Sequence, residues 1–199
     1  MTADAPDAVP PGHLVETVTS LEMFACPPAA APAPVPPPGT RIERVSRPGV
    51  PFYRFLYDTV GEPWLWAGRR RWSDAALEAW LHDPRTELWV LSADGQPAGF
   101  AELDRRVPEE VELSYFGLLP AFIGRRLGPP LLRAAIHHAF APGARRLWVH
   151  TCDFDHPAAL GLYRREGFAP FRTHRETVPD PRATGLIGRH VQPERPVAG

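Results

Sequence analysis

The sequence contains no lysine and no asparagine, so all 22 of its basic residues are arginine. Without lysine, the chain lacks the residue that holds the phosphates in a P-loop and the residue that forms the Schiff base of a pyridoxal enzyme. Lysine nucleophiles are excluded for the same reason. The composition therefore removes three classes of enzyme before any motif is considered.

Cysteine and long apolar runs are also scarce. The two cysteines, Cys26 and Cys152, form no CxxC pair and are too few for a disulfide framework, which favours a reducing compartment. No apolar run approaches the roughly 20 residues that span a bilayer, and the first residues lack a basic stretch followed by an apolar one. We therefore expect a cytoplasmic protein that does not act at a membrane.

The charge and length set further bounds. The net charge is -1, with 44% hydrophobic residues in 199, which indicates a globular protein and does not favour nucleic-acid binding. This length fits one domain with tails. We expect an N-terminal segment over 1–39, a domain over 40–178 and a Pro-rich tail over 179–199.

A run of proline and alanine over 27–38 interrupts the N-terminal part. Proline lacks an N–H group and restricts the residue before it, so this run predicts an extended linker. Segments with strand character lie on both sides, at 14–23 and 40–46. We expect the linker to pass around an edge of a sheet that both segments join.

The rest of the chain alternates between helical and strand periodicity. Helices are predicted over 51–59, 75–82, 129–140 and 157–166. Strands are predicted over 87–92, 98–104, 111–118 and 145–151, with a final strand from Phe168 and a hairpin turn at Asp94-Gly95. The pattern predicts an α/β (α+β) fold with a mixed central sheet flanked by helices.

Residues 117–132 join a predicted strand to a predicted helix through a turn that contains Gly124, Gly128 and two arginines. Glycines let the backbone approach a ligand, and a helix start offers free N–H groups that suit a phosphate. Arg125 and Arg126 add positive charge. The segment predicts an anion site, although an ordinary strand-to-helix connection with solvated arginines has the same pattern.

A second motif lies in the predicted helix near residue 160, where Ala159, Leu162, Tyr163, Gly167 and Phe168 occur in order. Together with the glycine turn before it, this motif resembles the GCN5-related N-acetyltransferase (GNAT) superfamily over about residues 40–178. The sequence departs from the family pattern at Ile123, Arg126 and His156, where the family usually has Gln or Arg, Gly and Asn.

The resemblance implies a GNAT-like acyl-CoA N-acyltransferase fold that uses acetyl-CoA and no metal. The residues that match the family's cofactor-binding segments are Gly117, Leu118, Leu119, Ile123, Gly124, Arg125, Arg126, Leu127, Gly128 and His156. Arg126 is expected to serve there if its backbone keeps a negative φ. Pro129 and Pro130 suit the first helical turn but donate no N–H, so the phosphate donors are expected at 124–128.

The implied chemistry is direct attack of an amine on the acetyl-CoA thioester, which requires a base, an oxyanion donor and an acid. Glu112 is the first candidate base and Glu102 the second, with Asp104 behind it; solvated strand glutamates would have the same pattern. A backbone N–H near 117–119 is the expected oxyanion donor. The resemblance gives Tyr163 the role of the acid that protonates the leaving thiolate, whereas a core tyrosine is the structural alternative.

Two other functions stay open at this point. His150, Cys152 and His156 have residue types that bind zinc, although a second ligand pair is missing. A domain of the same fold that senses acyl-CoA without turnover, or assembles through its Pro-rich arm, is the other alternative. For the enzyme we expect a small-molecule or peptide amine as acceptor, a pocket wall from the aromatic segment 52–72, no nucleic acid, and a monomer or homodimer.

Overall fold

A computed structural model describes residues 9–30 and 35–195. Residues 31–34 of the predicted linker and the last four residues of the predicted tail lie outside this range, as do the first eight of the N-terminal segment. The strands are β1 (His13–Met23), β2 (Thr40–Val45), β3 (Thr86–Ala93), β4 (Gln96–Asp104), β5 (Glu110–Leu118), β6 (Arg146–Cys152) and β7 (Ala169–Pro179). The α-helices are α1 (Val50–Gly61), α2 (Asp74–Leu81), α3 (Gly128–Phe140) and α4 (Ala159–Arg165).

The strands form one mixed sheet in the order β2-β3-β4-β5-β6-β1-β7. Within residues 9–30 and 35–195, β5 and β6 are the one parallel pair, and the other neighbouring strands are antiparallel. Helices cover the sheet, so the predicted fold class is confirmed.

The N-terminal strand β1 lies inside the sheet, between β6 and β7. Leu21 is opposite Val149 on one side and Pro170 on the other. Strand β2, which follows the linker, lies at the far edge against β3. Both segments that flank the linker therefore belong to the same sheet, at widely separated positions.

Local sequence signals explain several element boundaries. The side chain of Ser73 accepts a hydrogen bond from the Ala76 N–H and caps α2. Asp94 and Gly95 have φ values of 53° and 79°, as a two-residue turn between β3 and β4 requires. Gly167 has a φ of 103° just beyond α4, where a left-handed residue ends a helix.

The helices pack on both faces of the sheet and enclose one main core. Helices α1 and α2 lie on the face of β4 that carries Glu102, and α3 packs on the opposite face against β4, β5 and β6. Helix α1 approaches β5 closely at Gly117, where an added Cβ would lie 2.4 Å from Val60 Cγ1. The packing of α1 against β5 therefore requires glycine at this position, which is also among the residues predicted to bind the cofactor.

The segment after β7, residues 180–195, folds against the domain. Arg182 is 2% exposed, forms an ion pair with Asp180 and donates to the carbonyl oxygens of Val191, Gln192 and Arg195. The Gln192 amide donates to the carbonyls of Pro63 and Phe154. The segment thus bridges the loop after α1 and the loop after β6.

Within residues 9–30 and 35–195, the helices are too short or too polar to cross a lipid bilayer.

Candidate active site

Strands β5 and β6 pair only at their beginnings and then separate. The pairing runs from Glu110 opposite Arg146 to Glu112 opposite Trp148. Beyond this point, residues 113–118 of β5 have β4 as their neighbour on one side and face the wall of a cavity on the other. The cavity has a volume of about 600 Å³ and lies between the separated strands, α4 and the loop that starts α3.

The loop before α3 has an unusual backbone. Gly124 has a φ of 83° and Arg126 a φ of 60°. The condition set for Arg126, a negative φ, is therefore not met, and this arginine lies in the left-handed region that glycine usually occupies. In the part of the chain that the structure describes, no backbone carbonyl accepts from the N–H groups of Gly124, Arg126, Leu127 or Gly128. Four backbone donors are therefore free beside the cavity.

Most residues predicted to bind the cofactor line this cavity. They are Gly117, Leu118, Ile123, Gly124, Arg126, Leu127, Gly128 and His156. Leu119 and Arg125 do not. The N–H of Leu119 donates to Ala98, and the Arg125 guanidinium turns away to form an ion pair with Asp94, with 2.9 Å between Nη2 and Oδ2.

The hydrogen bond from the Leu119 N–H to Ala98 also identifies the amide that faces the cavity. In an antiparallel ladder, successive N–H groups point to alternate sides. Because Leu119 donates to Ala98 of β4, the N–H of Leu118 points away from β4, towards the side from which β6 has separated. Of the donors expected at 117–119, Leu118 is the one directed at the cavity.

Tyr163 of α4 lines the cavity and is 5% exposed. Its ring packs against Phe116 and Phe168. Burial raises the pKa of its hydroxyl well above the usual value, and the carboxylate of Asp155 acts in the same direction. The hydroxyl is therefore protonated at neutral pH.

Glu112 lies where β5 and β6 separate, just outside the cavity lining. Its carboxylate Oε1 is 3.7 Å from Nδ1 of His150, which does line the cavity. Burial, together with the nearby carboxylates of Asp104 and Glu102, raises the pKa of Glu112 to about 7 against the opposing effect of Arg69. Its protonation therefore changes near neutral pH.

Glu102, the second candidate base, has no exposed surface and lies outside the cavity lining. Its carboxylate accepts hydrogen bonds from the Tyr53 hydroxyl, from Arg69 Nη2 at 2.7 Å and from Trp80 Nε1 at 3.0 Å. Asp104 forms an ion pair with Arg106. The structure therefore brings Tyr163 to the cavity, Glu112 to its edge, and Glu102 and Asp104 into other contacts.

The wall that faces the loop is polar and centred on Asp155. This carboxylate accepts from Trp66 Nε1 at 2.9 Å, from the Thr151 hydroxyl at 2.8 Å and from the Cys152 N–H at 3.1 Å. It thus joins the aromatic segment before α2 to the end of β6. Trp64 and Trp66 both line the cavity, in the region where an aromatic pocket wall was expected.

The residues that suggested zinc were His150, Cys152 and His156. Across residues 9–30 and 35–195, no three His, Cys, Asp or Glu side chains converge as metal ligands. His156 stacks edge to face on Trp64, and its Nδ1 accepts from the Ala158 N–H. Burial raises the pKa of the Cys152 thiol, so it is protonated rather than a ready thiolate ligand.

Comparison with known proteins decides the family. The family model described as "Acetyltransferase (GNAT) family" matches residues 53–168. These residues include β3 to β6, α3, α4 and the loop before α3. This chain belongs to the GNAT family. The resemblance seen in the sequence is therefore confirmed.

Several curated GNAT relatives are similar over about half of the chain. A mycothiol acetyltransferase from Corynebacterium glutamicum (strain R) is 35% identical over 104 residues, which cover 52% of this chain and 35% of that protein. The N-alpha-acetyltransferase RimI from Mycobacterium tuberculosis is 36% identical over 110 residues, which cover 54% of this chain and 67% of that protein. The match to the mycothiol acetyltransferase spans about a third of its length.

Solved GNAT structures share the fold at lower identity. A GCN5-related N-acetyltransferase from Sphaerobacter thermophilus has a TM-score of 0.58 at 20% identity, covering 83% of this chain and 53% of that one. The ribosomal-protein-S18-alanine N-acetyltransferase from Escherichia coli has a TM-score of 0.55 at 19% identity, covering 71% and 94%. At these identities the likeness shows the fold alone.

Sequence reasoning missed two parts of the GNAT cavity. It considered His150 only as a metal ligand, although the alternation of β6 places His150 and Cys152 on one face. It also treated residues 179–199 as a tail, whereas Pro179, the last residue of β7, and Pro181 line the cavity. The signal for the latter was weak, because a Pro-rich stretch predicts no regular element.

Proposed function

We propose that the protein transfers an acetyl group from acetyl-CoA to a primary amine of a small molecule or peptide, by direct attack in a ternary complex. The observation that carries this proposal is the cavity where β5 and β6 separate, with free amides of the α3 loop at one end and Tyr163 in its wall. Membership of the acetyltransferase family supports the same reaction class.

The α3 loop suits the pyrophosphate of acetyl-CoA. The N–H groups of Gly124, Arg126, Leu127 and Gly128 have no backbone acceptor within the described residues, and α3 begins at Gly128. Unpaired N–H groups at a helix start favour an anion. Despite its positive φ, Arg126 lines the cavity, and its guanidinium is the proposed partner of phosphate oxygens.

The chemical step needs three groups around the thioester. The N–H of Leu118 is the proposed donor to the oxyanion that forms when the amine adds to the carbonyl. The hydroxyl of Tyr163 is the proposed acid for the departing thiolate, because it lies in the cavity wall and carries its proton at neutral pH. Glu112, whose pKa is about 7, is the proposed carboxylate that assists the loss of the proton from the acceptor ammonium.

An amine-dependent thiol-release assay tests the proposal. Purified protein is mixed with acetyl-CoA and a panel of small primary amines, polyamines and peptides with free N-termini, and free CoA thiol is measured with time. We expect release that depends on both acetyl-CoA and one class of amine, with the acetylated product seen by mass spectrometry. Tight binding of acetyl-CoA by calorimetry with no turnover on any amine would contradict the enzyme and favour the sensor.

A further inference from the structure

The position of Glu112 leaves a gap in the proton path of the proposed function. Its carboxylate lies outside the cavity lining, so a direct contact with an acceptor amine in the cavity is not assigned to it. The neighbouring His150 projects from β6 and does line the cavity. Nδ1 of His150 is 3.7 Å from Oε1 of Glu112, within ion-pair range but longer than a direct hydrogen bond.

The imidazole is suited to contact both the cavity and the carboxylate. About half of the His150 side-chain surface is open, compared with a quarter for Glu112. Nδ1 faces Glu112, which leaves Nε2 as the nitrogen available to an acceptor. Among the hydrogen bonds of the described residues, none engages either nitrogen of this ring.

We propose that His150 is the catalytic base of this enzyme, taking the proton from the acceptor ammonium at Nε2, with Glu112 as the positioning residue at Nδ1. The inference rests on the proposed acetyl transfer and names the side chain that contacts the acceptor amine in that reaction. It gives Glu112 a role that does not require it to enter the cavity.

The surroundings keep His150 neutral and ready to accept a proton. Burial lowers the pKa of His150, and the nearby imidazole of His174 acts in the same direction. The carboxylates of Asp155 and Glu176 oppose this effect. With Glu112 Oε1 at 3.7 Å from Nδ1, we expect the charge of the carboxyl to affect the titration of the imidazole, and the reverse.

The complete step balances in atoms and charge. The acceptor ammonium gives one proton to His150, and its nitrogen lone pair forms the C–N bond to the thioester carbonyl. The C–S bond then breaks with its electron pair on sulfur, and the thiolate takes the proton of the Tyr163 hydroxyl. The new amide nitrogen returns its second proton to Tyr163, and the first proton leaves His150 for solvent.

Kinetics provide the first test. For the amine found in the thiol-release assay, His150→Gln should lower kcat/KM about 100-fold at pH 8, the usual effect of losing a general base. The acetyl-CoA dissociation constant should change less than about twofold, since His150 is not assigned to the cofactor. His82→Gln is the matched control, because His82 lies at the end of α2, outside the cavity lining. Wild-type kcat/KM in His150→Gln overturns the proposal.

The pH profile separates a base from a structural residue. Wild-type kcat/KM should fall below about pH 7 as the pair takes up its first proton. Glu112→Gln should shift this acid limb to lower pH and lower kcat/KM less than His150→Gln does. If the acid limb of the kcat/KM profile lies at the same pH in Glu112→Gln as in the wild type, the pairing of Glu112 with His150 is overturned.

A second measurement does not depend on turnover. Long-range ¹H–¹⁵N spectra of the imidazoles should show His150 titrating in two steps in the wild type and in one step in Glu112→Gln. Identical single-step curves in both proteins overturn the pairing even if no acceptor is found. Failure of acetyl transfer with every amine, by contrast, counts against the proposed function.

Discussion

Arg69 and Glu102 form an ion pair inside the protein, with 2.7 Å between Nη2 and Oε1 and side-chain exposures of 10% and 0%. The guanidinium also lies over the rings of Trp72 and Trp80, with 4.2 Å and 4.3 Å between its carbon and the ring centroids. This pair joins the segment after α1 to the centre of β4. The contacts of Arg69 and Glu102 are those of residues that stabilise the fold.

Glu102→Gln is therefore expected to reduce stability. Removing one partner of a buried pair leaves an uncompensated charge, which costs about 3–5 kcal/mol. Urea unfolding should show this loss, and Arg69→Met combined with Glu102→Gln should recover much of it. A Glu102→Gln protein with wild-type stability but much lower kcat would instead support the catalytic role first considered for Glu102.

Tyr163→Phe is expected to lower kcat about 100-fold without changing acetyl-CoA affinity. The hydroxyl lies in the cavity wall, and the ring would keep its packing against Phe116 and Phe168. Single-turnover kinetics at saturating substrates and calorimetry with acetyl-CoA would measure the two quantities. An unchanged kcat would leave Tyr163 as a core residue only.

Glu112→Gln is expected to stabilise the protein above pH 7. In the folded state burial raises the pKa of Glu112 from 4.5 to about 7, so the folded state binds this proton more tightly than the unfolded state. Wild-type stability therefore decreases as the pH rises from about 4.5 to about 7, by up to about 3 kcal/mol.

The variant lacks this titration, so the two proteins should have equal pH dependence below pH 4 and diverge above it. Thermal unfolding from pH 4 to pH 8 measures the difference. Glu78→Gln, on an exposed position of α2, is the control and should follow the wild type. A constant difference at all pH values would contradict the raised pKa.

Arg126→Gly is expected to weaken acetyl-CoA binding about tenfold while leaving stability equal or slightly higher. The substitution removes a guanidinium that would bond to phosphate, and charged hydrogen bonds contribute about 1.5–3 kcal/mol. It also places glycine at a φ of 60°, where glycine is unstrained. Arg126→Lys keeps the charge and should retain most of the affinity. If calorimetry finds equal affinity in Arg126→Gly, the guanidinium does not contact the cofactor.

Much of the fold follows from local sequence. The predicted strand 98–104 appears as Gln96–Asp104 and the predicted helix 129–140 as Gly128–Phe140, because turn residues and apolar periodicity act over a few residues. The place of β1 between β6 and β7 was not predictable, since periodicity gives a strand its faces but not its neighbours.

The candidate site was predictable in part for the same reason. The motifs located the loop before α3 and Tyr163, which lie in two successive β-α units, β5–α3 and β6–α4. The left-handed φ of Arg126 does not follow from its residue type, and the hydrogen bonds of Glu102 depend on Arg69 and Trp80, which come from other elements. Glu112 and His150 likewise lie 3.7 Å apart because β5 and β6 stop pairing at Glu112 and separate beyond it.

The central position of β1 has a consequence for how the chain folds. This strand pairs along most of its length with β7, so among the described residues the first strand cannot complete its pairing until the last has formed. Contacts between such distant segments close a long loop and slow folding. During synthesis from the N-terminus, β1 would leave the ribosome with both edges unpaired, and only the arrival of β6 and β7 removes that exposure. Refolding of this protein should therefore be limited by a late step that docks β1 and forms one wall of the cavity at the same time.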